Sequence, residues 1–141
     1  MGRGQARARH TRAACATSAC SVGRVARPVW LRVGVFTFVP RPFPSEPDVL
    51  RVPYYHRTID NDEVIFYHHG DFFSRAGISP GMVTWHPQGI HHGPHPKAVE
   101  ASLKKHETDE VAVMLDTERP LHVSEQAFAA EWPEYHLSWR E

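Results

Sequence analysis

The chain has little cysteine and no long apolar segment. Its 141 residues include only Cys15 and Cys20, and the remainder is cysteine-free. This distribution gives no disulfide framework and suits a reducing compartment, so we expect a cytoplasmic protein. No apolar run approaches the roughly 20 residues that span a membrane, so we expect no membrane partner. The formal net charge is zero, which gives no general argument for a nucleic-acid partner.

Acidic residues are missing from the beginning of the chain. Residues 1–45 contain eight arginines and no Asp or Glu, and the first acid is Glu46. This composition is typical of an organelle transit peptide, whereas a nucleic-acid-binding arm would have interleaved aromatic residues. We interpret residues 1–34 as an unstructured Arg-rich leader. An origin outside the native coding sequence stays open as an alternative. Residues 35–141 then form a single domain.

The remaining chain has the pattern of a β-protein. Strands are predicted at 33–40, 51–58, 62–74, 82–87, 109–117 and 120–125. Both faces of the 62–74 segment are largely apolar, which predicts a well-buried strand. One short helix is predicted at 97–105, and Ser124 is expected to begin a helical turn. Short strands separated by Gly and Pro favour an antiparallel sandwich or barrel of the jelly-roll kind.

Histidine is unusually frequent and forms two spaced patterns. Seven of the 11 histidines lie within residues 56–95. The first pattern, H-x-T-x4-E-x6-G, begins at His56 and includes Thr58 and Glu63. The second, G-x5-P-x-G-x2-H, ends at His92. Because residues an odd number apart face opposite sides of an unbroken strand, a turn near residues 60–62 is needed to bring His56 and Glu63 together.

These two patterns resemble the paired motifs of the cupin superfamily. The resemblance implies a partial cupin-type jelly-roll barrel, an all-β fold with a short helix and the disordered leader. It also implies a metal bound by His56, Glu63 and His92, because Thr58 replaces the usual second histidine. Two imidazoles and one carboxylate with open coordination positions are typical of non-haem Fe(II) oxygenases, although these ligand types also suit Zn or Mn.

A closer resemblance is to the C-terminal half of the homogentisate 1,2-dioxygenase family, over about residues 35–141. It is carried by "VPYYHR" (52–57) and by the run from His86 to "HGP" (92–94). The resemblance implies Fe(II), O2 and a small aromatic substrate, with ring cleavage of homogentisate or a similar hydroquinone in tyrosine and phenylalanine catabolism. It assigns His86 to catalysis, assigns Tyr54, His86 and His92 to substrate binding, and suggests a homo-oligomer.

Two departures from that family leave alternatives open. The family has an additional N-terminal half with no counterpart here, so we expect a fragment of the full enzyme. The spacing from His56 in animal enzymes is one residue shorter and would select Asp62, whereas the general cupin spacing selects Glu63, which we prefer. The alternatives to a dioxygenase are a metal-binding cupin of other chemistry, such as an isomerase, and a non-catalytic truncated cupin.

Overall fold

A computed structural model describes residues 33–140 of the chain, and the predicted leader lies outside them apart from Val33 and Gly34. The elements are β1 (Val33–Phe38), β2 (Arg41–Pro42), β3 (Asp62–His69), β4 (Val83–His86), α1 (Ala98–Leu103), β5 (Glu107–Thr108), β6 (Val111–Thr117), α2 (Glu125–Ala129) and a final 3₁₀ helix (Tyr135–Arg140). Strands dominate, helices are short and the strand pairs are antiparallel. The predicted all-β, partial cupin-like fold is confirmed. No helix within residues 33–140 is long and apolar enough to cross a membrane.

The main sheet has four strands in the order β1-β6-β3-β4, and β2 pairs with β5 in a smaller sheet. The late strand β6 therefore lies between two early strands, so most of the sheet depends on contacts that are distant in sequence. The register places Gly34, Asp116, Glu63 and His86 in one row across the four strands. Directly paired residues project to the same face, so this row lies on a single side of the sheet.

The hydrophobic core lies on the face that carries Glu63. It consists of the buried residues Ile65, Tyr67, Phe72 and Ala112, with partly buried hydrophobic neighbours at Phe38, Ile78 and Met114. Ile65 and Tyr67 follow Glu63 at intervals of two residues, which keeps all three on one face. The Tyr67 hydroxyl and Thr84 Oγ1 are 2.9 Å apart and join β3 to β4 inside the core.

The opposite face of the main sheet is partly open, which corrects the expectation that both faces of the β3 segment are buried. Phe66 is 41% exposed and Trp85 is 40% exposed. In its strand, each of these residues alternates with the core positions and therefore points to the other face. Phe66 and Trp85 therefore lie partly on the outer surface, although both are large apolar residues in segments with the sequence pattern of buried strands.

Two predicted strands are absent, and both predicted helices are present. Of residues 51–58, only His56 makes a β-bridge, and the rest finds no neighbouring strand. Residues 120–125 form no strand, because the Leu121 N–H donates to the Asp62 side chain instead of to a neighbouring strand. Helix α1 matches the predicted short helix. Ser124 caps α2 and accepts a hydrogen bond from the Ala127 N–H, as the sequence predicted.

Candidate metal centre

The backbone brings His56 and His92 side by side. Each residue donates its N–H to the carbonyl of the other, at 2.8 and 2.7 Å, although a sequence separation of 36 residues divides them. The centroids of their rings are 4.7 Å apart. The close approach requires glycine at position 93, because a Cβ atom there would lie 2.9 Å from Tyr55 Cα. Gly93 thus allows the two segments to meet.

Glu63 joins these histidines from β3. One potential ligand atom from each of His56, Glu63 and His92 lies within 4.8 Å of the others. His92 Nε2 is 3.8 Å from Glu63 Oε1. Donor atoms bound to one Zn-sized ion at roughly 2.1 Å lie at most about 4.2 Å apart, so this pair already fits and the widest pair needs only a small closure.

The hydrogen bonds of the two histidines direct their free nitrogens toward this group. His56 Nδ1 donates to the Tyr54 carbonyl at 2.7 Å, and His92 Nδ1 donates to the Ile90 carbonyl at 3.1 Å. A neutral imidazole that donates from Nδ1 has its lone pair on Nε2, which is the form that binds metals.

His92 Nε2 gives the clearest indication that the group fits an ion. This atom is buried and has no hydrogen-bond partner among the described residues. A buried, unpaired acceptor costs about 1–3 kcal/mol, and a bound cation would remove that cost. Two imidazoles and a carboxylate are also a donor set that divalent transition metals accept. The residues present therefore fit a metal ion.

His86 is attached to this group through Glu63. His86 Nδ1 donates to Glu63 Oε1 at 2.7 Å, and both side chains are nearly buried. The His86 ring also stacks on His92 with centroids 4.6 Å apart. His86 thus contacts two members of the group without belonging to it, and it holds the carboxylate in place.

The surroundings keep Glu63 ionised and His92 neutral. Burial acts to raise the pKa of Glu63, but the hydrogen bond from His86 and the electrostatic influence of His86, His92 and Arg75 hold it below its ordinary value. Burial, followed by the neighbouring His86, lowers the pKa of His92. A carboxylate anion and an unprotonated imidazole are the forms that coordinate a cation.

Asp62 lies on the other face of β3, away from the histidines. It is only 1% exposed, and its carboxylate accepts hydrogen bonds from the N–H groups of Gln88 and Leu121 and from the Trp85 indole. Burial acts to raise the pKa of Asp62, but these hydrogen bonds hold it below its ordinary value. Of the two carboxylates that the sequence offered, the structure brings Glu63 to the histidines, and Asp62 joins β3 to the loops around it.

The remaining predicted residues lie around the group. Tyr54 is 64% exposed, and its ring centroid is 5.7 Å from that of His56, so it stands at the rim. Thr58 takes no part in the group, and its hydroxyl donates to the Asn61 carbonyl at 3.0 Å, within the turn that the spacing required. His91 is exposed and stacks on Tyr55.

Sequence reasoning missed two polar residues near the group. Arg75, in a segment interpreted only as a turn, donates to the Gly93 carbonyl beside His92. Asp116 is paired directly with Glu63 across β3 and β6. The alternation of β6 places Asp116 on the same face as Ala112 and Met114, but only the register shows that Glu63 is its neighbour.

Comparison with known proteins indicates the family of the chain. The family "Homogentisate 1,2-dioxygenase C-terminal" matches residues 23–141. The match therefore begins within the segment interpreted from sequence as a leader. A protein of Saccharolobus solfataricus named "putative dioxygenase" is 50% identical over 107 residues, which cover 74% of this chain. The chain spans 28% of the length of that relative. The chain belongs to the homogentisate 1,2-dioxygenase C-terminal family.

Proposed function

We propose that this chain carries the metal centre of a non-haem Fe(II) dioxygenase that cleaves the ring of homogentisate or a similar hydroquinone, in tyrosine and phenylalanine catabolism. The observation that carries the proposal is the group of His56, Glu63 and His92, in which both imidazoles donate from Nδ1 to backbone carbonyls and so have Nε2 free to bind a metal. Membership of the dioxygenase family supports the reaction class. When bound, Fe(II) supplies the open coordination positions and one-electron chemistry that a reaction with O2 needs.

The protein residues have distinct tasks in this proposal. His56 and His92 hold the ion through Nε2, and Glu63 neutralises part of its charge. The exposed ring of Tyr54 lies at the rim, where an aromatic substrate can pack against it. The core face beneath the group is apolar, which keeps bulk water away from the reacting atoms on that side.

His86 is proposed to move the proton. Its Nδ1–H is donated to Glu63, so the neutral ring has its lone pair on Nε2. That atom would accept the proton of a substrate hydroxyl and return it after the ring has opened. The same hydrogen bond holds Glu63 in position, so His86 serves both the carboxylate and the substrate.

The proposal includes a cytoplasmic location and homo-oligomeric assembly. The absence of cysteine after Cys20 supports the first. The family resemblance supports the second. This chain spans 28% of its relative's length, and the activity named for the whole relative is proposed for this chain.

Anaerobic loading tests the proposal. The purified chain is loaded with Fe(II), homogentisate is added, and O2 consumption is followed together with bound iron. We expect O2 uptake that depends on substrate. At saturating Fe(II), which offsets the weaker hold on Glu63, the His86→Ala variant should keep its iron and lose about 100-fold or more in rate, because a proton-transfer group contributes on that scale. His122→Ala, an exposed histidine outside both motifs, is the matched control and should behave as the parent.

The outcomes separate the alternatives. Iron bound without O2 uptake, when homogentisate itself is shown to bind, would contradict the dioxygenase and favour a metal-binding cupin of other chemistry. Failure to retain iron would favour a non-catalytic cupin. Equal rates in His86→Ala and the parent would show that His86 is not the proton-transfer group.

A further inference from the structure

Arg75 links the turn after β3 to the segment that follows His92. Its Nη1 donates to the Gly93 carbonyl at 2.8 Å, across 18 residues of sequence. A parallel backbone bond runs from the His95 N–H to the Ser74 carbonyl, also at 2.8 Å. Two neighbouring residues of one turn thus hold the two ends of the Gly93–His95 segment.

This link acts on a segment whose backbone has few other partners. His92 lies outside the main sheet, and among the described residues its backbone is bonded to His56 alone, in an isolated bridge. The Tyr55 hydroxyl donates to the carbonyl of the preceding residue, His91. The carbonyl of Gly93 has no strand partner, and a buried carbonyl needs a donor. The Arg75 side chain supplies that donor.

Arg41 provides a comparison within the same molecule. Burial raises the pKa of Glu110, and Arg41 and Arg75 both act against that shift, so the two guanidinium groups share one electrostatic environment. Arg41 Nη1 lies 3.8 Å from Glu110 Oε1. Of the two arginines, Arg75 donates to the segment that carries His92, and Arg41 has no described contact with it. The contact with Gly93, and not a positive charge in this region, therefore distinguishes Arg75.

We propose that Arg75 is a positioning residue of the metal centre: its hydrogen bond to the Gly93 carbonyl holds His92 Nε2 toward Glu63. The inference deepens the proposed function, on which its metal-binding consequence rests. The geometric consequence is independent of it, because the bond joins two groups of the chain itself. Loss of the bond should loosen the His92 segment and weaken metal binding while the main sheet stays intact.

The test compares Arg75→Met, Arg75→Lys and the control Arg41→Met in the full chain. Amide hydrogen exchange of the metal-free proteins should be faster by about tenfold or more at His92 and His95 in Arg75→Met. Exchange in β3 and β6 should be unchanged. Arg41→Met should match the parent at His92 and His95. Arg75→Lys, which keeps the charge and a donor group but not the planar guanidinium, should recover part of the protection.

Co(II) then serves as the metal probe. Affinity is measured from its visible absorption bands, which report the ligand geometry as well as binding. We expect Arg75→Met to bind Co(II) about 10- to 100-fold more weakly with altered bands, Arg41→Met to match the parent, and Arg75→Lys to lie between.

Each result decides a separate statement. Parental exchange and Co(II) affinity in Arg75→Met would overturn the inference, as would equal losses in Arg75→Met and Arg41→Met. If the parent binds no Co(II), the proposed function fails, and the exchange comparison alone decides the role of Arg75. If Arg75→Met does not fold, Arg75→Lys is compared with Arg41→Met in its place, and parental behaviour of Arg75→Lys would then count against a role for the guanidinium geometry.

Discussion

Two adjacent histidines in the HHGP segment have opposite surroundings. His92 is 7% exposed, and its Nε2 lies 3.8 Å from the Glu63 carboxylate. His91 is exposed and stacks on Tyr55. Residues next to each other in an extended segment face opposite sides, so only one of the two can reach the candidate metal centre. Local composition does not distinguish the two histidines, whereas the backbone bridge that pairs His92 with His56 does.

The histidine pair gives a direct test of the ligand assignment. His92→Ala should lose most of the bound metal, because the remaining two ligands hold a divalent ion poorly. His91→Ala should keep it. Metal content after Fe(II) loading and desalting under nitrogen measures both. Equal retention, or equal loss, in the two variants would refute the choice of His92.

At the scale of single elements, β3 begins with two acids that serve different faces. Glu63 points toward the histidines, and Asp62 joins β3 to the loops at Gln88 and Leu121. The strand thus carries a candidate metal ligand and a structural carboxylate at neighbouring positions. The structural one explains why residues near 121 lie against β3 without forming a strand.

We expect Asp62→Asn to destabilise the protein by about 1–3 kcal/mol, because an amide offers fewer acceptors to the buried donors. Asp60→Asn, at an exposed position, should have little effect. Urea unfolding measures both. Metal content should remain parental in Asp62→Asn, and a loss of metal with stability intact would show that the carboxylates had been assigned wrongly.

The same variant has a defined pH dependence. The folded-state pKa of Asp62 lies below its ordinary value of 3.8, so the unfolded chain binds the proton more readily. The stability that Asp62 contributes is therefore complete above about pH 4 and is lost as the pH falls through the folded-state pKa. Unfolding free energy measured between pH 6 and 3 should fall less steeply in Asp62→Asn than in the parent.

The end of β3 depends on Gly70. Its φ angle is +100°, and a Cβ atom there would overlap the Asp109 carbonyl oxygen. Gly89 also has a positive φ, of +79°, but a Cβ atom there would meet nothing within 4 Å. The two motif glycines are therefore required for different reasons: Gly70 for space and conformation, and Gly89 for conformation alone.

Replacing each of these glycines by alanine separates the two contributions. Gly89→Ala should cost about 1–2 kcal/mol, the penalty for a side chain in the left-handed region. Gly70→Ala should cost considerably more and disturb the β3–β6 pairing, because backbone has to move. Thermal unfolding followed by circular dichroism compares them. Similar melting temperatures for the two variants would contradict the predicted close contact.

At the scale of the whole molecule, the main sheet has one packed face and one open face. Ile65 is buried in the core, whereas its neighbour Phe66 is 41% exposed on the other side. Burial of apolar area is the main source of folding free energy, so the two faces contribute unequally. The open face gives the molecule an apolar surface that the packed face does not.

Adjacent substitutions test this asymmetry. Ile65→Ala should lower the free energy of unfolding by about 2–5 kcal/mol, because it leaves a cavity in the core. Phe66→Ala removes a larger side chain but should cost roughly half as much, since much of that ring is already in water. Phe66→Ala should also reduce the binding of a hydrophobic dye to the folded protein. A greater loss of stability in Phe66→Ala would show that the outer face is packed.

The sequence by itself determined the features that depend on near neighbours. The alternation of residues 62–69 and 111–117, the helix around Ala98 and the cap at Ser124 follow from local geometry and propensity. The resemblance of the two motifs to those of cupins implied that His56, Glu63 and His92 form one group, and the structure brings them together. The metal-binding role of that group stays a prediction.

Only the tertiary structure decided the features that need a distant partner. Whether residues 51–58 form a strand depends on a neighbour, and only His56 finds one, in His92. The different tasks of Asp62 and Glu63, and the contact from Arg75 to Gly93, depend on which chain segments the fold places together. Adjacent side chains of a strand point to opposite faces, and the sequence shows this alternation. Hydrogen-bond partners far along the chain determine which of the two faces is buried.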